Sequence, residues 1–514
     1  MTAAPPRADT QTIKRVVIAG GGTAGWVAAA ALSKHLGPLL DIVLVESDEI
    51  GTVGVGEATI PPIQAFNALL GIDERAFVAA TNGTFKLGIE FVDWRRTGHC
   101  YFHPFGTYGH DFGAIPFEAI WQRMRQQGRA EPLDAYALAT LAARANRFTT
   151  PRPGNTPLGH IGYAYHFDAG LYARFLRGRA EAQGVVRHEG RVAQVERRAE
   201  PSRIEAIVME HGTRIAGDLF IDCSGFRAEL IGKALGAPFQ SVQDQLFTDR
   251  ALACKIGYDR ADAPIESFTI ATAHAAGWTW DIALEGARGI GCVYSSAHMT
   301  DDRAAEVLQR YIGHDRFTAR TIPFESGYRT QQWIGNCVAV GLSGGFLEPL
   351  ESTGVVLVEA AVAMIGELFP HTGPIDAPAR RFNTLMAARY DRIITFLKLH
   401  YCLSRREEPF WRDNAAPDSI PEALRDLLDQ WRYRPPNRFD FLIDVESFAY
   451  FNYQYILYGM DFPTDLAAGR GDFPDGAAAE RMFARIRRFG ERAVADLPTN
   501  RALLHDINAG RTLR

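Results

Sequence analysis

The sequence has no CxxC pair, no membrane-length apolar run and no excess of basic residues, and each lack removes a class of function. The six cysteines, Cys100, Cys223, Cys254, Cys292, Cys337 and Cys402, stand apart among apolar or strand-like neighbours. That pattern fits buried thiols in a reducing compartment rather than a disulfide scaffold, and offers no metal site. Lys and Arg total 55 against 60 Asp and Glu, a formal net charge of -5. Such a balance gives no basic field for nucleic acid or an anionic membrane. The arginines at Arg405-Arg406 and from Arg485 to Arg488 read as solvated helix faces. The first 14 residues are polar and proline-bearing, without the charged start and apolar stretch of a signal peptide. No apolar run spans a bilayer without a charge or glycine break. There is no internal repeat and no low-complexity region. These lacks point to a soluble, cytoplasmic protein with a flexible start over residues 1–14.

What is present is a nucleotide-binding opening. Arg15 to Ala19 is a buried strand, Trp26 to Leu36 an alanine-rich helix and Asp41 to Glu46 a second strand. Between the first strand and the helix lies Gly20-Gly21-Gly22-Thr23-Ala24-Gly25, which fits GxGxxG. Its glycines permit a tight turn, backbone approach to a pyrophosphate and close helix–strand packing. Glu46 ends the second strand, where a ribose-binding acid belongs. Two later apolar strands end in turns of small residues, Asp218 to Gly225 and Cys337 to Gly345. Such extra crossings favour FAD over NAD. Only one clean GxGxxG occurs, so reduced flavin is expected from a separate reductase.

The second glycine-bearing turn is the more telling. Gly341-Leu342-Ser-Gly-Gly-Phe-Leu-Glu-Pro-Leu-Glu351-Ser352-Thr353-Gly354 follows a strand and precedes an apolar helix from Val355 to Leu368. Ser352 or Thr353 is placed to cap that helix. Backbone N–H groups at its start would suit an anion or an electron-rich ring edge, with Glu351 beside them. Lys86 sits in the apolar run Phe85 to Trp94 and, taken alone, reads as a strand-end lysine reaching solvent. Gly51 to Pro62 reads as a loop without regular structure, and Thr97 to Gly113 as an aromatic, glycine-rich loop over a pocket. A helix is expected from Asp168 to Gln183, and strands of a mixed sheet from Leu252 to Tyr294. Amphipathic stretches at 377–403, 422–433 and 477–495 indicate a mainly helical C-terminal part. The expected organisation is an α/β (α+β) Rossmann-like fold of the flavin monooxygenase type with mixed sheets. It comprises a discontinuous FAD module over 15–372 and a helical substrate module over 373–514.

Five segments occur in order: Gly20 to Trp26, Gly54-Val-Gly-Glu57-Ala58-Thr-Ile-Pro61, Phe85-Lys86-Leu-Gly88, Trp278-x-Trp280-x-Ile282 and Leu347 to Gly354. With them the chain resembles the flavin-dependent tryptophan halogenases, most clearly from residue 15 to 410. The resemblance implies that reduced FAD, O₂ and chloride or bromide yield hypohalous acid. The oxidant then travels to Lys86, and an electron-rich ring takes up the halogen beside Glu351. It assigns Thr353 and Gly354 to halide, and Trp278 and Trp280 to a wall near the flavin. Flavin contacts carry over to Gly21, Thr23, Ala24, Glu57, Ala58, Leu342 and Val355, with Val192 as a flavin-edge strand. His103-Pro104-Phe105 and His400 match substrate-lining positions.

Ala283 replaces the proline that usually closes the Trp-x-Trp-x-Ile-Pro pattern. The tryptophan that sandwiches substrate in the family is not evident, and Phe448 stands nearest its place. The expected substrate is therefore a small indole-type or tryptophan-type arene, or a larger carrier-linked one. A homodimer is allowed by the sequence. Two competing readings are an aromatic flavin monooxygenase and a catalytically silent flavoprotein that binds an aromatic ligand.

Overall fold

The computed structural model describes residues 12–49, 56–151, 161–200, 202–442, 445–466 and 473–511. Most of the N-terminal segment expected to be flexible, and Gly54 and Val55 of the second motif, lie outside them. A six-stranded and a seven-stranded sheet contribute to one continuous core. The first has the order Trp333–Ile334, Cys337–Ala339, Leu219–Asp222, Arg15–Ala19, Asp41–Glu46, Val186–Glu189. Its neighbours run parallel except at the Trp333–Ile334 edge. The central strand is covered on both faces, with Val16, Val17 and Ile18 all buried. That is why it reads as an unbroken apolar run rather than an alternation.

The seven-stranded sheet has the order Arg320–Pro323, Arg250–Gly257, Ala287–Tyr294, Gly277–Ala283, Thr269–His274, Gly88–Val92, Cys100–Pro104. It is mixed, with one parallel pair between Thr269–His274 and Gly88–Val92. A small antiparallel sheet of Glu57–Ala58, Ala164–Phe167 and Thr84–Lys86 stands beside it. The run from Phe85 to Trp94 therefore splits. At Leu87 the backbone N–H turns to Ser267 O at 2.7 Å, which sends Lys86 and Gly88 into different sheets.

Two loops expected from the sequence hold regular structure. The 97–113 segment contains the strand Cys100–Pro104, paired along its length with Gly88–Val92. Its aromatic and proline content hid the alternation. The described part of the 51–62 segment holds the strand Glu57–Ala58 and ends at the helix Pro62–Leu69. A two-residue strand leaves no periodic signature. The thiol expectation holds for four cysteines, whereas Cys100 is exposed and Cys402 half-buried.

From residue 376 the described residues form helices and turns without a strand. The longest helix, Asp376–Cys402, ends inside the protein: every residue from Ile393 to Tyr401 is buried. Because that end is covered on all sides, its polar residues Lys398, His400 and Tyr401 are delivered into the core. Among the described residues no helix is long and apolar enough to cross a membrane.

The helix Thr353–Glu367 packs on Thr23–Leu36 and carries a buried carboxyl, Glu359, whose Oε1 has no hydrogen-bond partner. Burial raises its pKa to about 8. The folded state therefore holds this proton more tightly than the unfolded chain, and stability falls as pH rises from about 4.5 through about 8. Glu359→Gln should raise the melting temperature relative to wild type by an amount that grows across that window. Melting curves at several pH values check this; a pH-independent difference would contradict it.

Candidate active site

The glycine turn follows the parallel strand Arg15–Ala19 and leads into the helix Thr23–Leu36. Gly20 has φ +116°, and a Cβ there would lie 2.2 Å from Cys223 O. A Cβ on Gly25 would lie 1.8 Å from Gly20 O, so only glycine lets the Thr23–Leu36 helix start this close to the strand. Gly22 instead faces open space, and residues 20–24 are half-exposed. Gly21 lies against the Glu46 carboxylate. Glu46 accepts Arg187 Nε at 2.7 Å and Trp26 Nε1 at 3.4 Å. Gly190 donates its N–H to Glu46 O at 2.8 Å, which brings the strand Val192–Arg197 and its half-buried Val192 beside this corner. Asp222 is occupied within its own turn, accepting the N–H groups of Ser224, Leu230 and Ile231.

The turn Gly341–Ser343, with half-buried Leu342, lies beside the glycine turn, where Gly341 approaches Ala24. It leads to the helix Thr353–Glu367, whose first N–H groups have no partner within the helix. Thr353 Oγ1 is buried without a hydrogen-bond partner, and Gly354 is exposed to open space. Val355 is buried behind them. An open glycine cradle, an acid at the second strand and an orphaned hydroxyl at a helix N-terminus fit a dinucleotide and a small anion. Ser352 or Thr353 was expected to cap this helix, but neither side chain does. The Ser352 backbone is left-handed, φ 59° and ψ 37°, and its hydroxyl serves another group.

That group is Lys86. Lys86 ends the strand Thr84–Lys86, but its side chain is fully buried, so the ammonium does not reach solvent as the lone residue suggested. Nζ donates to Ser352 Oγ at 2.8 Å and Thr59 O at 3.0 Å, and lies 5.2 Å from the Phe105 ring centre. Burial lowers its pKa to about 7, partly offset by the Glu351 charge. Glu57 and Ala58, in the same small sheet, are half-buried; burial and the nearby Asp168 raise the Glu57 pKa to about 7.

Glu351 is also fully buried. His103 Nδ1 lies 3.0 Å from its Oε1, and His400 Nε2 lies 2.8 Å from the same oxygen. Burial opposes ionisation, yet the charge and hydrogen bond of His103, then those of His400, hold the pKa down at about 2. His400 Nδ1 faces Phe396 O at 3.0 Å. A carbonyl only accepts, so Nδ1 is the donor of this contact. His103 Nε2 meets Asn452 Oδ1 at 2.9 Å. Asn452 escaped the sequence reading because its partner lies 349 residues away. Pro104 and Phe105 are buried next to His103. Phe448 stacks on Phe396 at 4.1 Å and lies 6.4 Å from the His103 ring. Trp278 and Trp280 share one face of the strand Gly277–Ala283, both buried, 6.4 Å apart.

Similarity to known proteins identifies the family. A family profile described as tryptophan halogenase matches residues 15–471. The chain belongs to the tryptophan halogenase family. It is 34% identical to tryptophan 6-halogenase SttH of Streptomyces toxytricini, over 96% of this chain and 98% of that one. The solved structure of Xcc4156, a flavin-dependent halogenase from Xanthomonas campestris, matches with a TM-score of 0.89 and 41% identity, covering 97% of this chain and 99% of that one. BrvH, a flavin-dependent halogenase from Brevundimonas sp. BAL3, matches with a TM-score of 0.89 and 38% identity, covering 96% and 99%. This chain is thus a flavin-dependent halogenase, an enzyme that uses FAD, O₂ and chloride or bromide.

The halogenase should not tolerate Gly25→Ala, because the added carbon meets backbone that cannot move without the strand. FAD affinity, followed by flavin fluorescence, should fall about tenfold or more. Unchanged affinity would show that this turn does not hold the cofactor.

Proposed function

We propose that Lys86 and Glu351 transfer halogen to an electron-rich arene, an indole-type ring. One observation carries this reading: a fully buried amine poised near neutrality shares an interior with a buried carboxylate between two imidazoles. Bound FAD, reduced by a separate reductase, supplies hypohalous acid from O₂ and halide. Thr353 and Gly354, at the helix N-terminus, would hold the halide. Trp278 and Trp280 would wall off the flavin side, and the glycines, Glu46, Glu57, Ala58, Val192, Leu342 and Val355 would line the cofactor.

The neutral Lys86 amine is a nucleophile and a hydrogen-bond donor. It either holds hypohalous acid by hydrogen bond or takes the halogen. In the latter case an N–X bond forms as O–X breaks, and hydroxide leaves with the amine proton as water. Thr59 O and Ser352 Oγ aim the amine. The ring then attacks the halogen, and the bond electrons return to the amine nitrogen, which takes up a proton to restore the amine, or to the departing hydroxide, which takes one up and leaves as water. Glu351 stabilises the cationic ring and accepts its proton when the C–H electrons restore aromaticity. His103 and His400 keep Glu351 ionised for that task.

Phe448, Phe396 and His103 are in mutual ring contact and Phe105 lies under Lys86, an aromatic neighbourhood that would suit an indole face. SttH is named as a tryptophan 6-halogenase, so tryptophan itself is the second substrate of choice. Bromide is the favoured halide, being easier to oxidise than chloride. A cytoplasmic location accords with the six free cysteines. A homodimer is retained as part of this reading. A hydroxylating monooxygenase or a silent flavoprotein would leave the Lys86 and Glu351 arrangement without a task.

The test supplies FAD, a flavin reductase, NADH and bromide, offers indole and tryptophan separately, and reads products by mass spectrometry. A bromine isotope pattern is expected. Lys86→Ala should abolish it while a dye still reports hypohalous acid, and Glu351→Gln should lower it about 100-fold or more. Halide-independent hydroxylation, or full product from Lys86→Ala, would refute the assignment.

A further inference from the structure

Three residues before Glu351 a second carboxylate is buried, and halogen transfer as described gives it no task. Glu348 has no exposed surface. Each of its oxygens accepts one hydroxyl, Oε1 from Tyr401 and Oε2 from Thr248. Tyr401 directly follows His400 in the long helix, and His400 holds Glu351. Two adjacent residues at one buried helix end therefore grip two carboxylates at either end of the turn Pro349–Glu351. The Tyr401 ring is itself fixed, 5.2 Å from Trp94 and 5.8 Å from Trp411. Lys398, on the same helix end, is tied to Gln245 O and Asn414 Oδ1 at 2.8 Å each.

The turn needs such anchors. Ser352 follows it in the left-handed region, which is unfavourable for a residue with a Cβ. It must stay there for its hydroxyl to meet Lys86 Nζ. A local conformation of this kind persists only when its surroundings over-determine it. Glu348 supplies one end of that constraint and Glu351 the other.

We propose that Glu348 is a positioning residue for halogen transfer: clasped by Tyr401 and Thr248, it holds the 348–352 turn so that Ser352 meets Lys86 and Glu351 meets His400. This inference rests on the roles given above to Lys86 and Glu351. Glu348 acts through those groups and touches no reacting atom. Thr353 and Gly354 open a 15-residue helix with its own packing, so formation of the oxidant does not depend on the clasp. Its loss uncouples the two halves of the reaction: hypohalous acid is still made, and less of it reaches the ring.

The experiment measures, for the full chain with FAD, reductase, NADH and bromide, both bromoindole and dye-trapped hypohalous acid. Tyr401→Phe and Thr248→Val each remove one hydroxyl at nearly constant volume, and Thr248→Ser restores the donor. Each removal should lower bromoindole per oxidant about tenfold, the scale of a slight misplacement of reacting groups, with oxidant formation and bound FAD unchanged. Thr248→Ser should recover the wild-type ratio. An unchanged ratio in both removals would overturn the proposal. So would a parallel fall of product and oxidant, which marks a merely structural role. The assignment of Lys86 and Glu351 fails separately, if wild type and Lys86→Ala give the same bromoindole.

Discussion

An amine and a carboxylate are kept wholly out of water in one interior, and neither is tolerable there alone. Burial drives Lys86 towards its neutral form and would do the same to Glu351. The protein treats the two differently. Lys86 receives neutral acceptors, a backbone carbonyl and a serine hydroxyl, which orient it without restoring its charge. Glu351 receives two imidazoles, which pull it towards ionisation. From the same desolvation come an amine near neutrality and a fixed anion. Without that contrast, an interior salt bridge would leave neither group reactive.

The rest of the architecture meets the geometric demands of this pair. The chain must change sheets at Leu87 so that Lys86 faces the Thr59 backbone while Gly88–Val92 joins the large sheet. The strand Cys100–Pro104 then pairs with Gly88–Val92 and presents His103 to Glu351. The final turns of the Asp376–Cys402 helix are buried throughout, so His400 arrives from the other side. The glycine turn is built apart from these groups, on the parallel sheet, and the 341–354 segment joins the two. That segment ends as a helix N-terminus, so one stretch of chain brings the Glu351 carboxylate next to the helix's unpaired first N–H groups.

Much of this was legible in the sequence, for reasons that can be named. The opening strand, glycine turn and helix carry constraints local in sequence: Gly20 and Gly25 are glycines because backbone lies where a Cβ would be. Lys86 and Glu351 stood out through motif context rather than periodicity. The helix expected from Asp168 to Gln183 runs from Ala169 to Ala182 with Asp168 as its N-cap, a bond that needs only a neighbour three residues on. Other features were not legible. Ser352 looked like a cap, since serine before an apolar helix usually is one; instead its backbone is left-handed and its hydroxyl meets Lys86, 266 residues away in sequence. The Cys100–Pro104 strand is set by its partner strand, not by its own alternation. Asn452, Thr248 and Tyr401 act on groups far along the chain, and no local pattern marks them.

The central claim is that burial holds Lys86 near neutrality, and its titration in the folded protein tests this most directly. The chain has six lysines, so a protein carrying isotope-labelled lysine gives a spectrum simple enough to assign, with Lys86→Met identifying the resonance. Lys398, the other buried lysine, is lowered by burial to about 8 and serves as an internal reference. The account predicts a Lys86 midpoint at about 7, below that of Lys398. A midpoint at the ordinary value of 10.5 would mean that the amine is a fixed cation and that the nucleophilic role assigned to it is wrong.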